Sequence, residues 1–461
     1  MPELPAIPEI EPLSLRAKPA RSSMKKLRLL PLVAATYYMV AGGPYGLEDI
    51  IGNAGYRIAL LLLLLLPFLW SLPTALMIGE LASSIPAEGG FYAWVRRALG
   101  PFWGFQEAWL SLAASVFDMA IYPTIFVDYL TRIAPGWTTG HRGFLLALLV
   151  VAIAAVWNLR GAASVGEGSA AMMFLSLSPF ALLIVLALSS ALHHHTHAAF
   201  SGRPIGFSFS GALLVALWNY MGWDNASTVA LEVEDPQRNY PRAMLTAALM
   251  VMLVYCLPLL AIWVAGVAPD RFSTGAWVDA AALFGGSALA LAVVCAGSLD
   301  GLGTFTSLTM SYTRLPYAMA QDGLLPKLFT RRLKNGAPWV SILFCAGAWA
   351  LALNFTFERL ITMDLVLYGL SLILEFVALI VLRVREPDLH RPFRVPGGIS
   401  GAIAVGLGPT ALILYAIYAA RGERVGAMHA LLFAALVAAG GAVLYLIAKS
   451  ATRAHNKTAQ S

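Results

Sequence analysis

"YYMVAGGPYGLEDIIGNAG", Tyr37–Gly55, sits in an apolar run long enough to cross a bilayer, yet Gly42, Gly43, Pro44 and Gly46 fall at its middle and Glu48 and Asp49 follow at once. In hydrocarbon every backbone N–H and C=O must find a partner within the protein, so breakers are tolerated only where the chain is packed in protein or lines a cavity. Proline removes a donor and glycine permits an unwound backbone. One Pro would read as a kink; three Gly and a Pro within five residues read as a functional discontinuity. A second interruption follows five spans later, in "LWNYMGWDNASTVALEVEDP", Leu217–Pro236, where Asn219, Gly222, Asp224, Asn225, Ser227 and Thr228 enter the sixth apolar span. Breaks at corresponding positions of two halves point to a binding site between inverted repeats, here spans one to five and six to ten.

The rest of the chain agrees with a membrane setting. Of 461 residues, 59% are hydrophobic and 12% charged, with a mean hydropathy of +0.72, against about 25% charged residues in soluble domains. Twelve apolar stretches of near-spanning length (~20 residues) predict an all-α polytopic protein with breaks near 42–46 and 219–227. Residues 1–28, Pro-rich and basic, without a signal-peptide core, read as a disordered cytoplasmic tail. Residues 29–448 read as a single transporter domain and 449–461 as a cytoplasmic C-terminal tail. With the N-terminus inside, 23 of the 31 Lys and Arg fall on inner segments, so the positive-inside rule puts both termini in the cytoplasm of a plasma-membrane protein. The net charge of +6 then needs no nucleic-acid partner. Cys256, Cys295 and Cys345 lie in apolar spans and read as small core residues. His193, His194, His195 and His197 read as a solvated outer loop, with no metal-site spacing. Neither an HExxH zinc motif nor a GxSxG elbow occurs, which argues against an enzyme.

Intramembrane acids are costly and mark pathways or pairs. Those read from the spans are Glu80, Glu107, Asp118, Asp128, Asp224, Asp300 and Glu375, with no Lys or Arg at the span centres to pair with them. Glu107 and Asp118 are eleven residues apart, three helical turns or about 16 Å along one face. Tyr122 shares that face four residues on, and Tyr129 eleven beyond Asp118 reads equally well as an interfacial belt residue. Carboxylates beside aromatic rings suit a flexible oligoamine through ion pairing and cation–π attraction. Trp218, Tyr220, Trp223 and Asp224 form a similar cluster at the second break. Glu48 and Asp49 are expected to line the extracellular approach and attract cations.

The segment "GELASSIPAEGGFYAWVRRALGPFWGFQEAW", Gly79–Trp109, resembles the signature of the amino acid–polyamine–organocation transporters. "GGPYGLED" (Gly42–Asp49), "FDMAIYP" (Phe117–Pro123), the second break and "LILEFVALIVLRVREPDLHRPFRVP" (Leu372–Pro396) resemble the polyamine:proton symporters of plants and protozoa within that superfamily. The resemblance implies a LeuT-type fold: twelve transmembrane helices in a five-plus-five inverted repeat plus two C-terminal helices. It implies a substrate site of Gly42, Gly43, Pro44, Gly46, Asp118, Tyr122, Trp218, Tyr220, Asp224 and Glu375, with Trp218 and Asp224 matching a six-residue spacing in related carriers. Many proton-coupled relatives carry a lysine in the fifth span; here Gly168–Leu192 has none, only Ser176 and Ser178 near its middle. Glu48, Asp49, Glu107, Ser176 and Ser178 are therefore the coupling or vestibule candidates. The expected function is secondary active, proton-coupled uptake of polyamines such as putrescine and spermidine, with sodium as the alternative ion and no cofactor. The alternatives are an amino-acid permease or exchanger of the same superfamily and, in another class, a non-transporting nutrient sensor.

Overall fold

The computed structural model describes residues 25–194, 207–269, 272–353, 357–425 and 428–460; His195 and His197 lie outside them, as do residues 1–24 of the expected tail. The chain begins with α1 (Leu29–Val40), which stops at the first glycine cluster; α2 (Glu48–Leu66) resumes after it. A wide helical turn at Pro67–Ser71 joins α2 to α3 (Leu72–Ser84). There follow α4 (Phe91–Leu99), α5 (Pro101–Thr131), the single turn α6 (Pro135–Thr138), α7 (His141–Asn158) and α8 (Ala162–His194). α9 (Phe209–Asn219) ends at the second break, which passes through 3₁₀ turns at Trp223–Thr228 and Ala230–Glu232 before α10 (Pro236–Val264). The remainder is α11 (Ala276–Tyr312), α12 (Arg314–Gln321), α13 (Trp339–Ala352), α14 (Phe357–Arg385), α15 (Gly398–Ala419) and α16 (Ala430–Gln460). α16 continues through the stretch read as a C-terminal tail.

Among the described residues nine helical segments are long and apolar enough to cross a membrane, and α1 and α13 are shorter apolar helices. The interrupted helices α1 and α9 are short because the sequence stops them. Gly42, Gly43 and Gly46 take left-handed φ values of 69°, 141° and 85°, and Gly222 takes 89°. The exterior is apolar, with Leu61, Phe68, Phe174, Leu249, Leu407 and Leu446 exposed, whereas eight acids among the described residues (Glu48, Glu80, Glu107, Asp118, Asp224, Asp300, Asp364 and Glu375) are buried. Polar inside and oily outside is the inverse of a water-soluble domain and suits a lipid solvent.

α1 packs against α8, α10, α11 and the second break; α9 packs against α2 and α14; α5 lies between α11 and α14. α15 and α16 sit at the periphery, against α14 and α3 and against α5 respectively. Residues 25–28 are ordered: the Leu27 N–H donates to the Glu232 carbonyl at 2.8 Å and the Glu234 N–H to the Leu27 carbonyl at 2.8 Å. The N-terminal segment thus straps onto the loop of the second break.

One expectation needs correcting. Glu80 is not a lone intramembrane acid: the Arg383 guanidinium donates to both its carboxylate oxygens, Arg391 approaches Oε1 at 3.2 Å, and the Val395 N–H donates to Oε2 at 2.7 Å. The partners lie some three hundred residues downstream, at the end of α14 and in the basic stretch after it. Asp128, likewise, is exposed. Removing one member of a buried pair strands the other charge at a cost of about 3–5 kcal/mol. Arg383→Met should therefore lower the thermal unfolding midpoint of the detergent-purified protein strongly. Arg97→Met, which breaks the part-exposed Arg97–Glu386 pair, should cost no more than about 1 kcal/mol. Equal shifts would remove the anchoring role of the Glu80 cluster.

Candidate functional site

The two breaks touch. A Cβ on Gly222 would stand 2.2 Å from the Met39 carbonyl oxygen, so only glycine fits at this crossing. The peptide groups that the breaks free are met by side chains from other helices. Tyr255 donates to the Asn219 carbonyl at 2.7 Å, Tyr240 to the Ala226 carbonyl at 2.7 Å, and Ser311 to the Asn225 carbonyl at 2.9 Å. At the first break, Trp277 Nε1 donates to the Pro44 carbonyl at 2.8 Å.

Beside the crossing is a narrow cavity of about 10 Å³, room for about one water molecule. It is lined by Met39 and Val40 from α1, Asp118 and Tyr122 from α5, Trp218, Met221 and Gly222 from the second break, Tyr312 from α11, and Asp364 and Tyr368 from α14. Asp118 accepts from Tyr122 at 2.7 Å and, more distantly, from Trp218 Nε1 and Tyr312 at 3.4 Å each. The Tyr122 and Trp218 rings stack with centroids 6.1 Å apart. Asp364 is 2% exposed and its Oδ1 has no hydrogen-bond partner. Two carboxylates, four aromatic rings and no Lys, Arg or His in the wall make this a site for a cation. Asp364, Tyr312 and Tyr368 were missing from the sequence reading. One signal could have found Asp364: it precedes Glu375 by eleven residues, the interval that separates Glu107 from Asp118 on the helix against which α14 packs.

The other candidates scatter around this cavity. Asp224 stands behind its wall, accepting the Tyr368 hydroxyl at 2.5 Å, while the Tyr368 oxygen accepts the Gly222 N–H at 3.1 Å. Glu107 and Glu375 are wholly buried and do not line the cavity. Gly42 and Gly43 face Asp300 rather than the cavity: Cβ atoms there would lie 2.8 and 3.0 Å from its carboxylate oxygens. Gly46 backs onto the Trp218 ring. Tyr220 turns away, donating to the Leu63 carbonyl at 2.7 Å. Ser176 bonds the Tyr38 hydroxyl at 3.1 Å, whereas Ser178 points to the exposed surface and bonds its own helix.

Two further polar clusters tie the breaks to neighbouring elements. On the side away from the basic residues, Glu48 is a buried acceptor and not a solvated vestibule acid. It is fully buried and accepts the Gly46 N–H at 2.7 Å, the Gly275 N–H at 3.0 Å and the Tyr129 hydroxyl. Tyr129 is buried with it and is no belt residue. Asp49 is part-buried and accepts from Thr274 at 3.3 Å. On the basic side, Arg314 donates to Glu232 at 2.7 and 2.9 Å, Arg332 pairs with Glu88 at 2.7 Å while lying over the Tyr317 ring, and Arg96 and Tyr92 converge on Asp322 at 2.7 and 2.6 Å. Burial raises the Glu88 carboxyl above its ordinary range, with the Arg332 charge opposing it.

If Glu48 holds the outer approach closed, Glu48→Ala should unlatch the segment before α11. In a background with the three native cysteines replaced by serine, Ala276→Cys, now 3% exposed, should react with a membrane-impermeant maleimide about tenfold faster once Glu48 is removed. Unchanged labelling would show that Glu48 latches nothing.

Comparison with known proteins agrees with this architecture. Residues 32–444 match the family model described as amino acid permease. The chain is 36% identical over 397 residues to polyamine transporter PUT1 of Oryza sativa subsp. japonica, covering 86% of this chain and 74% of that one. It is 33% identical to polyamine transporter RMV1 of Arabidopsis thaliana (86% and 81% covered) and 25% identical to the serine/threonine exchanger SteT of Bacillus subtilis (strain 168), with 71% and 75% covered. A matching family model over most of the chain, with relatives above 30% identity, makes the assignment: this chain is a multi-pass membrane transporter belonging to the amino acid permease family.

Proposed function

We propose that the protein takes up polyamines of the putrescine and spermidine type across the plasma membrane, driven by protons. The twelve spans would be α1, α2 with α3, α5, α7, α8, α9, α10, α11, α13, α14, α15 and α16. The first ten would form the five-plus-five LeuT-type repeat and the last two the added pair. The side bearing Arg96, Arg314 and Arg383 is the cytoplasmic one in this reading, which places both termini inside. Transport is alternating access around the crossing of the two breaks, and it needs no cofactor.

The observation that carries the reading is the cavity wall of Asp118, Asp364 and four aromatic rings without a basic group. An ammonium would pair with either carboxylate and rest on the Tyr122, Trp218, Tyr312 or Tyr368 face. A solute with no hydrogen-bond donor would leave Asp364 Oδ1 unsatisfied, at about 1–3 kcal/mol, and an ammonium, with three donors and a positive charge, meets it best. The printed names of the plant relatives support the same substrate class. The second reading, an amino-acid permease or exchanger, draws on the family description and on the Bacillus relative. There the N–H groups of the first break would hold a substrate carboxylate. Asp300, beside Gly42 and Gly43, puts another acidic group at that spot and weighs against it.

Proteoliposomes loaded at a higher internal pH, offered labelled putrescine, spermidine, arginine or leucine, test the choice. Accumulation of the amines, insensitive to replacement of sodium by choline, is the expected result. Accumulation of leucine with no competition by putrescine would establish the permease reading instead, and any accumulation excludes a mere sensor. Asp118→Asn and Asp364→Asn each remove a charge-assisted contact of about 1.5–3 kcal/mol, or about 10- to 100-fold in affinity. The exposed Asp128→Asn should transport normally. Full uptake by both cavity variants would dismiss the assigned roles.

A further inference from the structure

Behind the cavity, towards the basic side, lies a second group of acids that the binding site does not use. Glu107 on α5 and Glu375 on α14 are both 0% exposed. The Ser111 hydroxyl lies 3.1 Å from Glu107 Oε1 and 3.3 Å from the Ser371 hydroxyl, with one hydrogen to give to either, and Ser371 donates to the Tyr368 carbonyl at 2.8 Å. Glu107 Oε2 and both oxygens of Glu375 have no hydrogen-bond partner. The ionisable groups facing the pair are Asp224 from the second break, Tyr368 from α14 and Tyr92 from α4; no basic side chain stands among them. Neither acid lines the cavity beside the crossing or the apolar hollow along α7.

Bare carboxylates sealed in a low-dielectric interior demand a cation. An ammonium or a metal ion needs room and several oxygens; a proton needs no volume. The position also suits transfer. On one side Asp224 reaches the cavity wall through its hydrogen bond with Tyr368. On the other, Tyr92 donates at 2.6 Å to Asp322, which pairs with Arg96 at the part-exposed basic surface.

We propose that Glu107 and Glu375 are the proton-coupling site of the transporter, loaded from the cavity by way of Asp224 and unloaded towards Asp322. The proposal rests on the transport reading above and names the ion carrier within it. The proton that forms the O–H bond of a Glu375 or Glu107 carboxyl on one side leaves that oxygen for solvent on the other, so charge balances over a cycle. Amine binding at Asp118 and Asp364 is a separate event, linked to the pair through Asp224 and Tyr368.

The separation gives the test. In proteoliposomes with equal pH on both faces, labelled putrescine exchanges against internal putrescine without net proton movement. With an imposed gradient it accumulates, and an internal pH dye reports the protons. Glu375→Gln and Glu107→Gln with Glu375→Gln mimic the loaded site permanently. They should exchange within about twofold of the wild type, accumulate at least tenfold less, and give no dye signal. Thermal unfolding in detergent confirms that the variants are folded. Gradient-driven accumulation and proton flux at wild-type levels in the folded double variant would overturn the proposal while leaving the transport reading intact. Loss of exchange in a folded variant would overturn it too, by showing that these acids hold the amine. A wild-type protein that moves no amine in either assay would overturn the transport reading and this one with it.

Discussion

Two helices that stop inside hydrocarbon leave peptide groups with no water to turn to, and most of the interior is organised to meet them. A hydrogen bond in a protein is worth only about 0.5–1.5 kcal/mol net, but an orphaned peptide group in lipid costs several. Every freed group is therefore a fixed appointment for some other helix. Tyr240 and Tyr255 come from α10, Ser311 and Trp277 from α11, and Tyr368 from α14. The breaks are in this sense not weak points. They hold the surrounding helices in register, and the cavity is the space left over where α1, the second break, α5, α11 and α14 meet.

The cavity follows from the same arrangement. Tyr368 both caps the Gly222 N–H and walls the cavity; Tyr312 and Trp218 steer towards Asp118. Asp118 already receives three donors, while Asp364, with an unmet oxygen, has room for another.

Much of this was legible in the sequence, and the omissions have physical causes. Span lengths and charge scarcity gave the membrane class because backbone satisfaction in lipid forces long apolar helices. Asp118 and Tyr122 could be read together since four-residue spacing fixes a shared face on one helix. Asp364, Tyr312 and Tyr368 could not, because their meeting depends on which helices neighbour one another. Glu80 looked solitary since Arg383 is distant in the chain, at the far end of α14. Glu48 looked solvated because two of its three partners are backbone N–H groups, which no residue pattern displays. Tyr220 and Ser178 were named for their chemistry alone, and their orientation on the helix sends them elsewhere.

The two polar clusters beside the breaks are made of different stuff. The outer one joins a buried acid wrapped by neutral donors to the exposed Arg132–Asp279 pair on the same segment. The inner one relies on opposite charges, several of them reachable by solvent: the Arg96 and Asp322 side chains are 28% and 18% exposed, and Arg332 and Glu88 28% and 13%. Mobile ions screen exposed charges within about 10 Å at 0.1 M and hardly touch enclosed neutral contacts. Brine thus loosens charged ties on both sides, the Arg132–Asp279 pair among them, and spares the neutral grip on Glu48.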